Sequence, residues 1–237
     1  MIFQILMASA QEIGEVLAQS EPVREELSFS LIDMAIKGGW IMIPLLLLSL
    51  IAIYIFGEKW WTIRKASQIN ENFMRNIKDY VHDGKVPAAL SLCEATDSPI
   101  ARMVEKGLRR IGRPLPDIQA SIENVGNVEV ARLEKKLPML ATIAGGAPMI
   151  GFLGTVMGMI QAFFNMSEAG NNVDITLLSG GIYVAMVTTV AGLIVGILAY
   201  FGYNYLTSSI NDLVYKMESS SLEFMDMLHE PAISKKA

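Results

Sequence analysis

The chain has 237 residues, of which 52% are hydrophobic and 18% charged, with a formal net charge of −5, one cysteine and two histidines. Its charges fall in blocks between long uncharged stretches, which is the pattern of a membrane protein and excludes an ordinary soluble domain. A lone cysteine excludes a disulfide framework, and His82 and His229 have no metal-ligand spacing, so no catalytic, cofactor-binding or metal site is read from the sequence.

In chain order, residues 1–37 come first, with six acidic against two basic residues, as suits an outer, periplasmic segment. Ile2 to Ala10 is apolar but too short to span. It reads either as a truncated export signal ending in Ala8-Ser9-Ala10 or as the start of an external amphipathic helix. Residues 38–57 carry no Asp, Glu, Lys or Arg and form the first transmembrane helix, with Trp40 at one end and Trp60 and Trp61 beyond the other as interfacial anchors.

Residues 58–136 form a cytoplasmic helical domain. The spacing of Ile69, Phe73, Ile77 and Val81 predicts a helix from Glu58 to His82, stopped by Asp83-Gly84. A short helix follows over Pro87 to Ala95, and Ser98-Pro99 starts another that Gly112 and Pro114 end. From Pro116 the pattern runs through Leu133 into the second span, which predicts one rod of roughly 50 residues, with Gly126 and Pro138 as kink points.

The second span, 137–167, and the third, 175–206, are joined by a short outer loop, 168–174. In the tail, 207–237, the spacing of Leu206, Ile210, Leu213, Met217, Phe224 and Leu228 continues the third span as an amphipathic cytoplasmic helix. The fold class is therefore all-α: three transmembrane helices, with long helices extending into a cytoplasmic bundle. Basic residues orient it. Fourteen Lys or Arg lie between Lys59 and Lys136, two precede the first span, none falls in 168–174 and three are in the tail, so the 58–136 segment and the C-terminus face the cytoplasm and the N-terminus faces out.

The contents of the spans point to function. Pro148, Gly151, Gly154 and Gly158 in the second, and Gly192 and Gly196 in the third, make small faces that let helices approach closely where lipid provides no hydrophobic drive. Such faces also occur as plain packing motifs within one subunit. Counted from the outer loop, Thr155 and Thr189 reach within roughly 3 Å of one level and form a polar band at mid-depth, unless each hydroxyl only bonds its own helix. No span holds an Asp, Glu, His, Lys or Arg, whereas proton relays ordinarily need an ionisable group. A titrating carboxylate for such a device would come from another polypeptide.

Pro148-x-x-Gly151-x-x-Gly154-Thr155-Val156-x-Gly158, followed by Ala185-x-x-Thr188-Thr189-x-x-Gly192-Leu193, resembles the paired signature of the ExbB/TolQ/MotA proton-channel family. Three spans are similar to the ExbB and TolQ branch, and the outer segment of about 37 residues to ExbB. The resemblance implies a homo-oligomer, a pentamer, around ExbD-like single-span helices that each bring an intramembrane Asp. It implies a bacterial inner-membrane motor that uses protons to energise outer-membrane transport through a TonB-like protein. A TolQ-like role in envelope maintenance and a passive membrane scaffold are the alternatives. Lipid surrounds the spans, and no nucleic acid is involved. Thr155, Thr189 and Thr188 take the proton-pathway positions. Val184 stands where the family usually has Glu, and Leu198 where a Pro is common. On this topology a cysteine introduced at Asn171 should be labelled by an impermeant maleimide in intact cells, and one at Asp226 only after the inner face is opened; the reverse pattern would invert the orientation.

Overall fold

The computed structural model describes residues 38–68, 70, 72–169 and 175–229. The N-terminal segment 1–37, Ile69, Glu71, residues 170–174 and the last eight residues lie outside the described residues, and with them the expectations made there. The described residues form seven helices and no strand.

Helix α1, Met42–Ser67, follows a turn at 38–41 in which Gly39 has φ +69°. It continues well past the uncharged run, with Arg64 and Lys65 in its last turn, where cations favour the helix dipole. It then stops at Gln68. The backbone N–H of Asn72 donates to Asn70 Oδ1 at 3.0 Å, a local bond that competes with helix continuation. The single helix predicted from Glu58 to His82 is thus corrected to two, the end of α1 and α2, Phe73–His82. Gly84, at φ +71°, turns the chain into α3, Val86–Ala95. Helix α4, Pro99–Leu108, is capped as its sequence predicts: the Ala101 N–H donates to Ser98 Oγ at 3.1 Å. Gly112, at φ +95°, leads toward α5, Leu115–Glu134.

The predicted rod through 116–167 is broken. α5 ends at Glu134, Lys135 turns to ψ 130°, Lys136 takes a left-handed φ of 79°, and α6 runs as a new helix, Leu137–Ala169. Pro138 is the cause. It has no N–H to give to the carbonyl four residues back and its ring would clash there, but it fits a first helical turn. Gly126, the other expected kink point, lies within α5. The last helix, α7, Ile175–His229, runs unbroken for 55 residues, about 80 Å.

Helices α1, α6 and α7 are long and apolar enough to cross a membrane. α6 and α7 are antiparallel and in contact along their membrane portions, and α1 lies against both. Below them α7 buries Leu206, Ile210, Leu213, Met217 and Phe224 against the short helices. Gly107 of α4 makes room for this: a Cβ there would meet the Phe224 ring at 2.5 Å and Ile122 of α5 at 2.8 Å. Burial pushes the Cys93 thiol up to about 12, so it stays protonated at neutral pH. A chain of ion pairs ties the bundle to α1: Lys65 to Asp97 at 2.9 Å, Asp97 to Arg102 at 2.9 Å, and Arg102 to the nearly buried Glu129 of α5 at 2.7 Å. The hydrogen bonds from Lys65 and Arg102 hold the Asp97 carboxyl below its ordinary range, and the one to Glu129 holds the Arg102 guanidinium above its own.

Candidate functional site

The site is built on a contact between backbones. α6 turns Gly151, Gly154 and Gly158 toward α7, and α7 answers with Ala185, Thr188, Gly192 and Gly196. At each glycine a methyl group would collide. A Cβ on Gly192 would stand 2.6 Å from the Ala147 carbonyl oxygen and 2.8 Å from Gly151 Cα, and one on Gly158 3.0 Å from the Gly181 carbonyl oxygen. Pro148 breaks the α6 ladder without ending the helix: its missing N–H frees the Ala144 carbonyl, and Gly196 leaves room for both, since a Cβ there would lie 2.5 Å from Pro148 Cγ and 3.0 Å from that oxygen.

This register sets the three threonines. Thr188 is fully buried directly beneath Gly154, and its hydroxyl donates to the Ala185 carbonyl at 2.8 Å. It therefore faces α6 and differs from the other two, being a packing residue in this fold rather than part of a surface open to a partner. Thr155 is half-buried between the exposed Phe152 and Val156, and its hydroxyl donates to the Phe152 carbonyl at 2.6 Å. Thr189, also half-buried, donates across the interface to the Gly151 carbonyl at 3.1 Å. In a regular helix that carbonyl is the one that accepts from the Thr155 N–H, so the two residues meet in one turn of α6.

A threonine hydroxyl has one proton and two acceptor positions. Both protons here are committed to carbonyls, and what remains on each oxygen is the capacity to accept. The pair suits a neutral O–H donor, such as a protonated carboxylic acid, and has no charge to hold an anion. Among the described residues no group of His, Cys, Asp or Glu is arranged for a metal ion. Val184, half-buried one turn before Thr188, adds no titratable group.

A second polar cluster lies where α1 meets the break between α5 and α6. Lys59 is 5% exposed, and its ammonium donates to the Leu133 and Arg132 carbonyls at 3.0 and 3.2 Å. Lys136 reaches both oxygens of Glu58, at 2.8 and 2.6 Å, and lies 5.4 Å from the centre of the Tyr54 ring. Sequence reasoning missed this cluster. Glu58-Lys59 ends one uncharged run and Lys135-Lys136 precedes the next, so ends that share a membrane face were the available signal.

Residues 95–219 match the model of the MotA/TolQ/ExbB proton channel family. The chain is similar to an ExbB-like biopolymer transport protein of Synechocystis, 32% identical over 181 residues, which is 75% of this chain and 71% of that protein. It is also similar to the biopolymer transport protein ExbB of Neisseria meningitidis serogroup A, 24% identical over 82% of this chain and 92% of that one. The Tol-Pal system protein TolQ of Haemophilus influenzae is 35% identical over 46% of this chain and 47% of its own.

The close approach has a measurable consequence. Gly192→Ala should lower stability by about 1–3 kcal/mol through overpacking, even though alanine favours a helix by up to about 1 kcal/mol. Gly57→Ala, with nothing within 4 Å of the added methyl, should be neutral or stabilising. Thermal melts of the detergent-purified protein check this, and a Gly192→Ala variant that melts at or above the parent temperature would refute the packing.

Proposed function

The chain belongs to the MotA/TolQ/ExbB proton channel family and is a multi-pass membrane protein, and from this premise we propose that it is the channel-forming subunit of an inner-membrane proton motor. Copies of the chain surround single-span partner helices of the ExbD or TolR type, and a partner Asp carries the proton past Thr155 and Thr189. The observation that carries this reading is the pair of half-buried hydroxyls whose protons are already committed to carbonyls, in spans that have no Asp, Glu, His, Lys or Arg of their own.

The chemistry follows from that pairing. Deep in the membrane a carboxylate lacks water, so its pKa rises and it loads a proton from the outer side readily. Once neutral, its O–H has an acceptor in either threonine. To release the proton it must ionise, and then a threonine hydroxyl has to rotate away from its carbonyl to donate. Protonation thus changes which contacts hold the partner helix, and the helix shifts against the ring. Thr188, fixed under Gly154, keeps α6 and α7 in register while this happens.

Relatives named ExbB and TolQ both match, and the ExbB-like relative of Synechocystis, matched over 75% of this chain against 46% for the TolQ of Haemophilus influenzae, favours the ExbB role, energising outer-membrane transport through a TonB-like protein. Co-expression with an ExbD-like or a TolR-like partner distinguishes the two, since only the cognate partner should co-purify and restore activity.

The double variant Thr155→Val, Thr189→Val keeps the side-chain shape and removes both hydroxyls. It should insert and assemble normally while proton-linked activity falls by about 10-fold or more, as when a buried hydrogen-bond partner worth roughly 1–3 kcal/mol is lost. Full activity in that variant would rule out the threonine pathway. Independently, changing the partner's intramembrane Asp to Asn should abolish proton flux in reconstituted vesicles with the complex intact. Undiminished flux with Asn, or from this subunit alone, would instead favour a scaffold.

A further inference from the structure

In a continuous helix the direction of every side chain is fixed by the turns before it. The break at Lys135–Lys136 removes that link, so the cytoplasmic α5 does not by itself set the azimuth or tilt of α6. The angle matters because of leverage: Thr155 is about 18 residues, or ~27 Å, beyond the break, so a tilt of about 10° moves it by ~5 Å. Against α7, Thr188 beneath Gly154 and Pro148 against Gly196 set the register, but no large side chain is wedged between the helices to resist a tilt.

What grips the break belongs to α1. The Lys59 ammonium, buried, satisfies the last-turn carbonyls of Arg132 and Leu133 in the way a C-terminal lysine caps a helix, but from a different helix. One residue earlier, Glu58 takes the Lys136 ammonium on both carboxylate oxygens, at the residue whose backbone is left-handed. Adjacent side chains of α1 thus hold the end of α5 and the start of α6. Three residues further on, Thr62 only bonds its own helix, at the Glu58 carbonyl. Lys135, between the two gripped residues, is exposed and outside this grip.

We propose that Glu58 and Lys59 are positioning residues which latch the α5–α6 break and thereby fix the tilt and azimuth of α6. The first membrane helix is then a strut for the second rather than an anchor alone. The consequence for proton-linked activity rests on the threonine pathway proposed above; the latch itself does not.

The test uses the full chain in lipid with Cys93→Ala, nitroxide labels on cysteines at Glu123 of α5 and Phe163 of α6, both exposed, and labelled chains diluted among unlabelled ones. Glu58→Lys and Lys136→Glu should each broaden or shift the label distance, by up to ~7 Å for every 10° of tilt. The double charge swap should restore it, which a general loss of folding would not allow. Lys135→Gln should leave it unchanged. Lys59→Met should also broaden the distribution, while thermal melts report whether the bundle is still folded. An unchanged distance in both charge-reversal variants overturns the latch. A distance that shifts while proton-linked activity stays at the parent level supports the latch and overturns the threonine pathway.

Discussion

The structure depends on how closely α6 and α7 approach in a medium that does nothing to drive apolar surfaces together. In lipid, helices associate through van der Waals contact and interhelical hydrogen bonds, and both need backbones near one another. The glycines of α6 and α7 grant this, since the positions a methyl would take are already filled by carbonyl oxygens and Cα atoms of the facing helix. The hydrogen bond from Thr189 to Gly151 exists only at this separation. Large apolar side chains are left over on the outer faces of the pair: Phe152, Ile160, Phe163 and Ile194 are exposed, and Leu198 and Phe201 line a groove beside α1.

The same contact decides what the polar groups can do. Three adjacent threonine positions of equal chemistry acquire different roles from burial alone: Thr188 is closed off, while Thr155 and Thr189 keep part of their surface open. On the proposed reading, the committed protons of the open pair give the pathway its direction of preference, because a neutral acid is accepted without rearrangement and its anion is not. A glutamate at Val184 would add a charge about one turn before Thr188, so on the proposed reading its absence leaves the acid–base chemistry to the partner.

Much of this was legible in the chain. The spans follow from uncharged runs, the amphipathic stretch of α7 from the spacing of Leu206 to Phe224, and the small faces from the glycine intervals, because each is a periodic signal within one helix. The misses share a different origin. The split at Gln68–Asn72 comes from one side chain bonding a nearby N–H, and the broken rod from a proline whose effect was expected to be only a kink. The latch and the burial of Thr188 depend on which residues of separate helices are level with one another, which no single-helix period contains.

The two glycine-faced helices therefore join the helical bundle by different means. α7 carries its register without interruption from the membrane to the core around Phe224, so a rotation at Thr189 is also a rotation of the buried face of the bundle. α6 has no such continuity. At the break its direction is borrowed from α1, through the partly exposed Glu58–Lys136 pair and the buried Lys59, whose ammonium would be costly to leave without its carbonyls. On the proposed reading, a motor built on this plan has one stiff element, α7, that couples its membrane portion to the helical bundle and one adjustable element held by side chains. On that reading a change in the partner helix would be felt first at α6, whose side-chain grip can re-form in a new geometry while α7 would have to bend along its length.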